Sequence, residues 1–192
     1  MSARPYDHRD KCGNEGDVVK HVGLLAALDG ILATWTHTVF RYADTFAGYA
    51  QCVLGEGGEW TYGVGLLADR DRLRENPHTA CWQRWYLSRP VLRGTAYPGS
   101  ALIAADAAQD REVPIRLSLW DVSETAARSL RATWGDRAFV FTRPAEPTEA
   151  AVVEADFLFV DPPDLGPWPA IQPMLERKRS GGSLLWLPVL SK

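Results

Sequence analysis

The chain has 192 residues, 46% of them hydrophobic and 23% charged, with a formal net charge of -3. That length suits one domain with its own core, and the composition excludes a disordered or fibrous chain; no run approaches the ~20 apolar residues a membrane helix needs. The acidic balance argues against nucleic acid as a partner, because proteins that grip phosphates gain affinity from clustered Lys and Arg.

Val18, Val19, Val22, Leu25, Ala26 and Leu28 recur at helical spacing and predict a helix from Asp17 to Leu32, with Asp17 as its N-cap. His37 to Asp44 reads as a strand running into a carboxylate and a Gly-containing loop. The mixed stretch from about 56 to 95, with Trp60, Trp82, Trp85 and Tyr86, reads as a small helical insertion within a single domain spanning 1–192. Tyr97-Pro98-Gly99-Ser100 is a turn before an alanine-rich helix, Ala101 to Gln109. A strand from Ile115 to Asp121 and a helix from Ser123 to Trp134, ended by Gly135, follow. Phe139 to Phe141 is a short strand, and the Pro/Glu segment after it a loop or poor helix. Asp156 to Asp161 is an apolar strand between two acids, as in a sheet covered on both faces. Pro173 to Lys178 forms a short helix, and Ser183 to Leu190 the last strand.

The start of the chain, Met1 to Asp7, lacks the apolar core of a signal peptide, so a cytoplasmic location is expected. Cys12, Cys52 and Cys81 show neither a CxxC nor a zinc pattern. Buried free thiols and no metal site are expected. Strands alternating with helical segments predict an α/β fold built on an open parallel sheet, in which ligands sit beyond the carboxyl ends of the strands. Asp44, Asp121 and Asp161 end strands and should line one crevice there.

Seven blocks stand in a telling order: Tyr6-Asp7-His8, then Gly13-Asn14 through Asp17 to Lys20-His21, then Asp44-Thr45-Phe46-Ala47-Gly48, Gly58-Glu59, Tyr97-Pro98-Gly99-Ser100, Asp121, and Asp161-Pro162-Pro163. Together they resemble the RlmJ-type ribosomal-RNA adenine methyltransferases over essentially the whole chain. The resemblance implies a Rossmann-like class I methyltransferase sheet of strand order 3-2-1-4-5. It implies that Lys20, His21 and the loop with Phe46 and Gly48 hold the methionine end of S-adenosylmethionine. It further implies that Asp121 holds the ribose and that Asp161-Pro162 receives a target amine. Tyr6, His8 and Ser100 fall in matching blocks as further binding candidates.

Four departures redirect the expectation. Asp164 stands where the family has an aromatic to stack a flipped base, and a carboxylate has no π face. Gly48-Tyr49-Ala50 replaces Gly-Ala-Gly and Phe46 replaces a His, so Tyr49 crowds the place of the cofactor. Thr142-Arg143-Pro144 lacks the acid expected near residue 144. The last two strands of the family sheet are missing after the fifth, which leaves Leu184 to Leu190 as an apolar edge that a second protein subunit is expected to cover.

The favoured reading is a methyltransferase-fold enzyme repurposed for natural-product chemistry on a small-molecule substrate. In form it resembles the enzymes of azinomycin- and ficellomycin-type biosynthesis, where an amine displaces a leaving group to close an aziridine-containing azabicyclic ring. No cofactor is then required, and Asp44, Glu59 and Asp161 are the catalytic candidates. The alternatives are an S-adenosylmethionine-dependent N-methyltransferase, acting on adenine in RNA or on a small-molecule amine, and a non-catalytic subunit of a methyltransferase-like complex.

Overall fold

In the computed structural model, which describes residues 11–67, 82, 85, 86 and 96–187, the apolar run after Asn14 forms helix α1, Glu15–Leu32. Its cap is Asn14 instead of Asp17. The Asn14 side-chain oxygen accepts from Asp17 N–H at 2.9 Å, and the Asp17 carboxylate accepts from Gly13 N–H at 2.8 Å. One first-turn donor and the N–H just before the cap are thus satisfied.

The chain divides into two compact units, one of Met1–Ala27 with Gln51–Pro98, the other of Leu28–Ala50 with Gly99–Lys192. The stretch expected as a helical insertion falls in unit one, which it shares with most of α1. There β2 (Gln51–Val53) pairs antiparallel with β3 (Ala96–Pro98). Tyr97-Pro98 is therefore strand, where the sequence suggested a turn. Three-residue strands are too short for alternation to be read. A single 3-10 turn, Glu59–Tyr62, and the one-turn helix α2, Val64–Leu67, follow β2. Trp82, Trp85 and Tyr86 are helical and buried, with the Trp82 ring stacked on Tyr86 at 5.0 Å.

Unit two is built on five parallel strands: β1 (Phe40–Asp44), β4 (Ile115–Trp120), β5 (Ala138–Phe141), β6 (Phe157–Val160) and β7 (Gly182–Leu185), in the order β5-β4-β1-β6-β7. In chain numbering that departs from 3-2-1-4-5, because β2 and β3 take two numerals outside this sheet. β1 starts three residues later than expected. Before it the chain turns, with Trp35 edge-on to His37 at 5.1 Å and to Phe40 at 5.0 Å. The connecting helices are α3 (Ser100–Asp110), α4 (Glu124–Trp134), α5 (Ala150–Val153) and α6 (Trp168–Arg177). Ser123 caps α4, its hydroxyl accepting from Ala126 N–H at 3.3 Å, and Gly135 ends it with φ 53.

Ala43, Trp120, Leu158 and Val160 form a buried cluster on one face of the sheet with Ala145, Val152, Ile171 and Met174 from the α5–α6 side. Alternation sends Phe40, Tyr42 and Asp44 to the other face of β1. The last strand stops at Leu185, short of the expected Leu190. Trp186 N–H still bonds Val160 O at 2.9 Å, but Trp186 and Leu187 are no longer strand, and 188–190 lie outside the described residues. Leu184 to Leu187 are half-buried. Among the described residues no helix is long and apolar enough to cross a membrane.

The amino ends of β1 and β6 are tied by Asp156. Its Oδ2 accepts from Arg41 N–H at 2.8 Å and from Arg41 Nε at 3.1 Å, and its Oδ1 from Nη2 at 2.9 Å. Partial burial would raise the Asp156 carboxyl, but the Arg41 bonds outweigh it and hold the group below the ordinary carboxylate range. The side-chain bonds from the Arg41 guanidinium lead that effect and its backbone N–H follows, while half-exposure to solvent screens the guanidinium's share in stability. Asp156→Ala is expected to lower unfolding stability near neutral pH by about 2 kcal/mol, by loss of charge-assisted bonds. Because the folded value is depressed, the difference should fade as pH falls through it. Urea denaturation at neutral and acid pH reads both; no loss at neutral pH would contradict this role.

Candidate functional site

β1 is the middle strand of the unit-two sheet and ends at Asp44, between the ends of β4 and β6. The Asp44 side chain is fully buried. Ser100 Oγ donates to its Oδ2 at 2.5 Å, the Tyr42 hydroxyl donates to the same oxygen at 3.2 Å, and Phe46 N–H donates to Oδ1 at 3.2 Å. Burial pushes the carboxyl up to about 7, against the opposing pull of Ser100 and Phe46, and the Asp161 carboxyl adds repulsion. Burial and the Asp44 charge likewise push the Tyr42 phenol well above its ordinary value. Asp44 and Asp161 are thus two interacting acids at adjacent strand ends, one of them poised near neutrality.

Ser100 opens α3 and is itself buried. It reaches Asp44 because residue 99 is glycine: a Cβ there would stand 2.1 Å from the Tyr49 carbonyl oxygen. Gly99 N–H instead bonds Ala50 O at 2.9 Å.

The loop after β1 is strapped onto the end of β4. Ala47 N–H donates to Trp120 O at 2.9 Å and Gly48 N–H to Asp121 Oδ2 at 2.8 Å, while the Tyr49 and Thr125 hydroxyls meet at 2.9 Å. Ser123 N–H takes the other Asp121 oxygen at 2.7 Å. Asp121, the expected ribose holder, therefore has each oxygen engaged by a backbone N–H. Gly48 has φ 60, and a Cβ there would meet nothing within 4 Å. Phe46 is half-buried against the apolar cluster that includes Ala43 and Trp120.

Asp161 is half-buried and Pro162 buried, whereas Asp164 is exposed and its Oδ1 accepts from Gly166 N–H at 2.7 Å. The Asp164 carboxylate thus closes a tight turn. Arg143 forms a bidentate pair with Glu149 at 2.7 and 2.9 Å, its guanidinium 5.2 Å from the Phe141 ring centroid.

The other candidates belong to unit one. Lys20 Nζ lies 2.7 Å from Asp17 Oδ1. Burial would raise Asp17, but Lys20 and His21 hold it below the usual carboxylate range. His21 Nδ1 is 2.9 Å from the Tyr97 hydroxyl, the two rings stacked 5.4 Å apart. Glu59 is exposed, opens the 3-10 turn, and accepts from Asn14 Nδ2 at 3.0 Å. Cys12 and Cys52 are buried, and neither is in a disulfide. Tyr6, His8 and Cys81 lie outside the described residues. Among the described residues no group of three or more His, Cys, Asp or Glu could hold a metal ion. The structure adds Tyr42, which the sequence placed in the first strand, and Tyr97, which it placed in a turn. The i, i+2 spacing of Tyr42 and Asp44 on a strand was the available signal for the first.

No family model matches the chain, and no curated protein does. Among solved structures it is similar to the crystal structure of protein LPL1258 from Legionella pneumophila str. Philadelphia 1, of family DUF519. The TM-score is 0.71 at 21% identity, over 93% of this chain and 70% of that one. A likeness at that identity establishes the α/β fold.

The poise of Asp44 has a measurable consequence. Its folded value, about 7, lies above the ordinary 3.8, so the neutral form is favoured in the folded chain. That contribution is fully present below the unfolded value and is lost as pH rises toward the folded one, over a range worth about 4 kcal/mol. Asp44→Asn should remove the dependence, so that the variant gains stability relative to the parent between about pH 4 and about pH 7.5. Urea denaturation at the two pH values reads the gain, and a difference that ignores pH would contradict the assignment.

Proposed function

We propose that this chain is an enzyme of methyltransferase-like fold turned to small-molecule chemistry, acting on an amine at the carboxyl edge of the unit-two sheet. One observation carries the reading: a fully buried carboxyl titrating near neutrality beside a second carboxyl, at the end of the central strand. An acid kept in that state costs stability at neutral pH, and such groups cluster where a proton must be taken or given.

In the reaction we favour, an amine of the substrate displaces a leaving group within the same molecule and closes an aziridine or azabicyclic ring. The C–N bond forms as the bond to the leaving group breaks, the leaving group keeps the bonding pair, and the amine proton passes to a carboxylate. Asp161, half-buried, accepts that proton, and Asp44 shares it. A folded substrate pose and a base suffice, without a cofactor. Glu59 is assigned to holding Asn14 and not to the reaction. Among the described residues, the loops at this edge carry Asp121, Glu146, Glu149, Asp161 and Asp164 against one base, Arg143. That balance draws an amine in as its cation, which gives one proton to solvent before its lone pair attacks, and it disfavours nucleic acid. The same reading sets a second protein subunit against the half-buried residues of β7, and sedimentation analysis showing an active monomer would remove that partner.

A second reading, N-methylation with S-adenosylmethionine, draws support from the open space beside Gly48. The neighbouring residues fit that cofactor poorly. Asp121 already accepts two backbone N–H groups, the Tyr49 hydroxyl is tethered to Thr125, and Arg143 with its Glu149 partner stands where the family's acid would be.

Calorimetry with S-adenosylmethionine and its demethylated product should show no micromolar binding. Tight binding, or methyl transfer to an RNA adenine, would favour the second reading. Small amines, but not their matched amides, should raise the melting temperature of the parent. Asp161→Asn should abolish that gain, and equal response to amines and amides would count against a carboxylate site.

A further inference from the structure

Three donors converge on Asp44, and two are set by the local chain. Tyr42 lies two residues earlier on the same face of β1, and Phe46 N–H two residues later in the loop. The third, Ser100, is 56 positions away and makes the shortest of the three bonds, 2.5 Å. It comes from the first turn of α3, which lies this close only because Gly99 carries no side chain against the Tyr49 carbonyl. At 5% exposure, with its hydroxyl on the Asp44 carboxylate, Ser100 faces a protein group and not a solvent-filled space.

We propose that Ser100, seated by Gly99, is the positioning residue that holds Asp44 as a hydrogen-bond acceptor and sets how readily that carboxyl takes and releases its proton. The inference rests on the reading of Asp44 as a group in the reaction, and it replaces the expectation that Ser100 contacts a ligand directly.

The titratable and charged neighbours of Asp44 leave little else for this task. On its own strand Tyr42 donates to it, and at the end of β6 the Asp161 charge opposes its ionisation. At the end of β4, Asp121 is held by Gly48 and Ser123. From α3 only Ser100 reaches it. Of the two hydroxyls, Ser100 favours the charged form more strongly than Tyr42 does.

The direction of a single shift separates positioning from mere packing. If Ser100 stabilises the carboxylate, removing its hydroxyl leaves Asp44 buried with less support for charge, and its titration moves up. If Ser100 only fills space, its loss loosens the site, admits water and moves the titration down toward an ordinary Asp.

Carboxyl 13C titration of the full chain by NMR reads this, with the Asp44 resonance assigned as the one absent from Asp44→Asn. Ser100→Ala should raise the midpoint by about one pH unit, the scale of a hydrogen bond to a charged group. Ser100→Thr should restore it, and Tyr42→Phe should raise it by less. An unchanged or lowered midpoint in Ser100→Ala would overturn the proposal. If that variant does not fold, a lowered midpoint in Tyr42→Phe, or one moved away from the parent's in Ser100→Thr, overturns it equally. No substrate enters the measurement. A chain that shows the Ser100 shift yet ignores every amine would therefore refute the proposed chemistry and leave the positioning role standing.

Discussion

A carboxyl buried at the end of the central strand organises unit two. Asp44 draws Ser100 from the start of α3, Tyr42 from its own strand and a backbone N–H from the loop that follows. Two of these bonds fix α3 and the following loop against the carboxyl end of β1. The loop then continues into its straps to Trp120, Asp121 and Thr125, so the end of β4 is held through the same short segment. Without donors a buried carboxylate would be untenable; with three it remains an acid near neutrality, because burial and Asp161 still oppose its charge. Stability and reactivity at this edge thus depend on one balance.

The acids ending the strands were legible because an apolar run bounded by Asp, as in Asp156 to Asp161, reads as a covered parallel strand whose polar residue must lie at the edge. The helices α1 and α4 were legible from apolar spacing and, for α4, from Ser123 and Gly135 at its ends. What local pattern could not supply was pairing across sequence. Ser100 and Asp44 are 56 positions apart, and nothing in either neighbourhood announces the other. Asn14 outcompeted Asp17 as the α1 cap because Asp17 is drawn inward by Gly13 and Lys20, two contacts that only the folded first turn creates. β2 and β3 escaped notice because three residues carry no period.

The candidate residues sort by what they touch. Asp121 accepts the backbone N–H groups of Gly48 and Ser123, and Arg143 pairs with Glu149. Lys20 is paired with Asp17 and His21 with Tyr97 in unit one. Glu59 faces outward with Asn14 on its carboxylate. Asp161 is a half-buried acid at the strand end next to Asp44 and opposes its ionisation, and the proposed chemistry centres on that pair.

The central claim is that Asp44 carries its proton into the neutral range. Direct titration of its carboxyl carbon in the unmodified chain tests it most simply. A midpoint at about 7 is the result the structure leads to; a midpoint near 3.8, the ordinary value, would mean that Asp44 is a structural anchor alone and that no poised acid exists at this sheet edge.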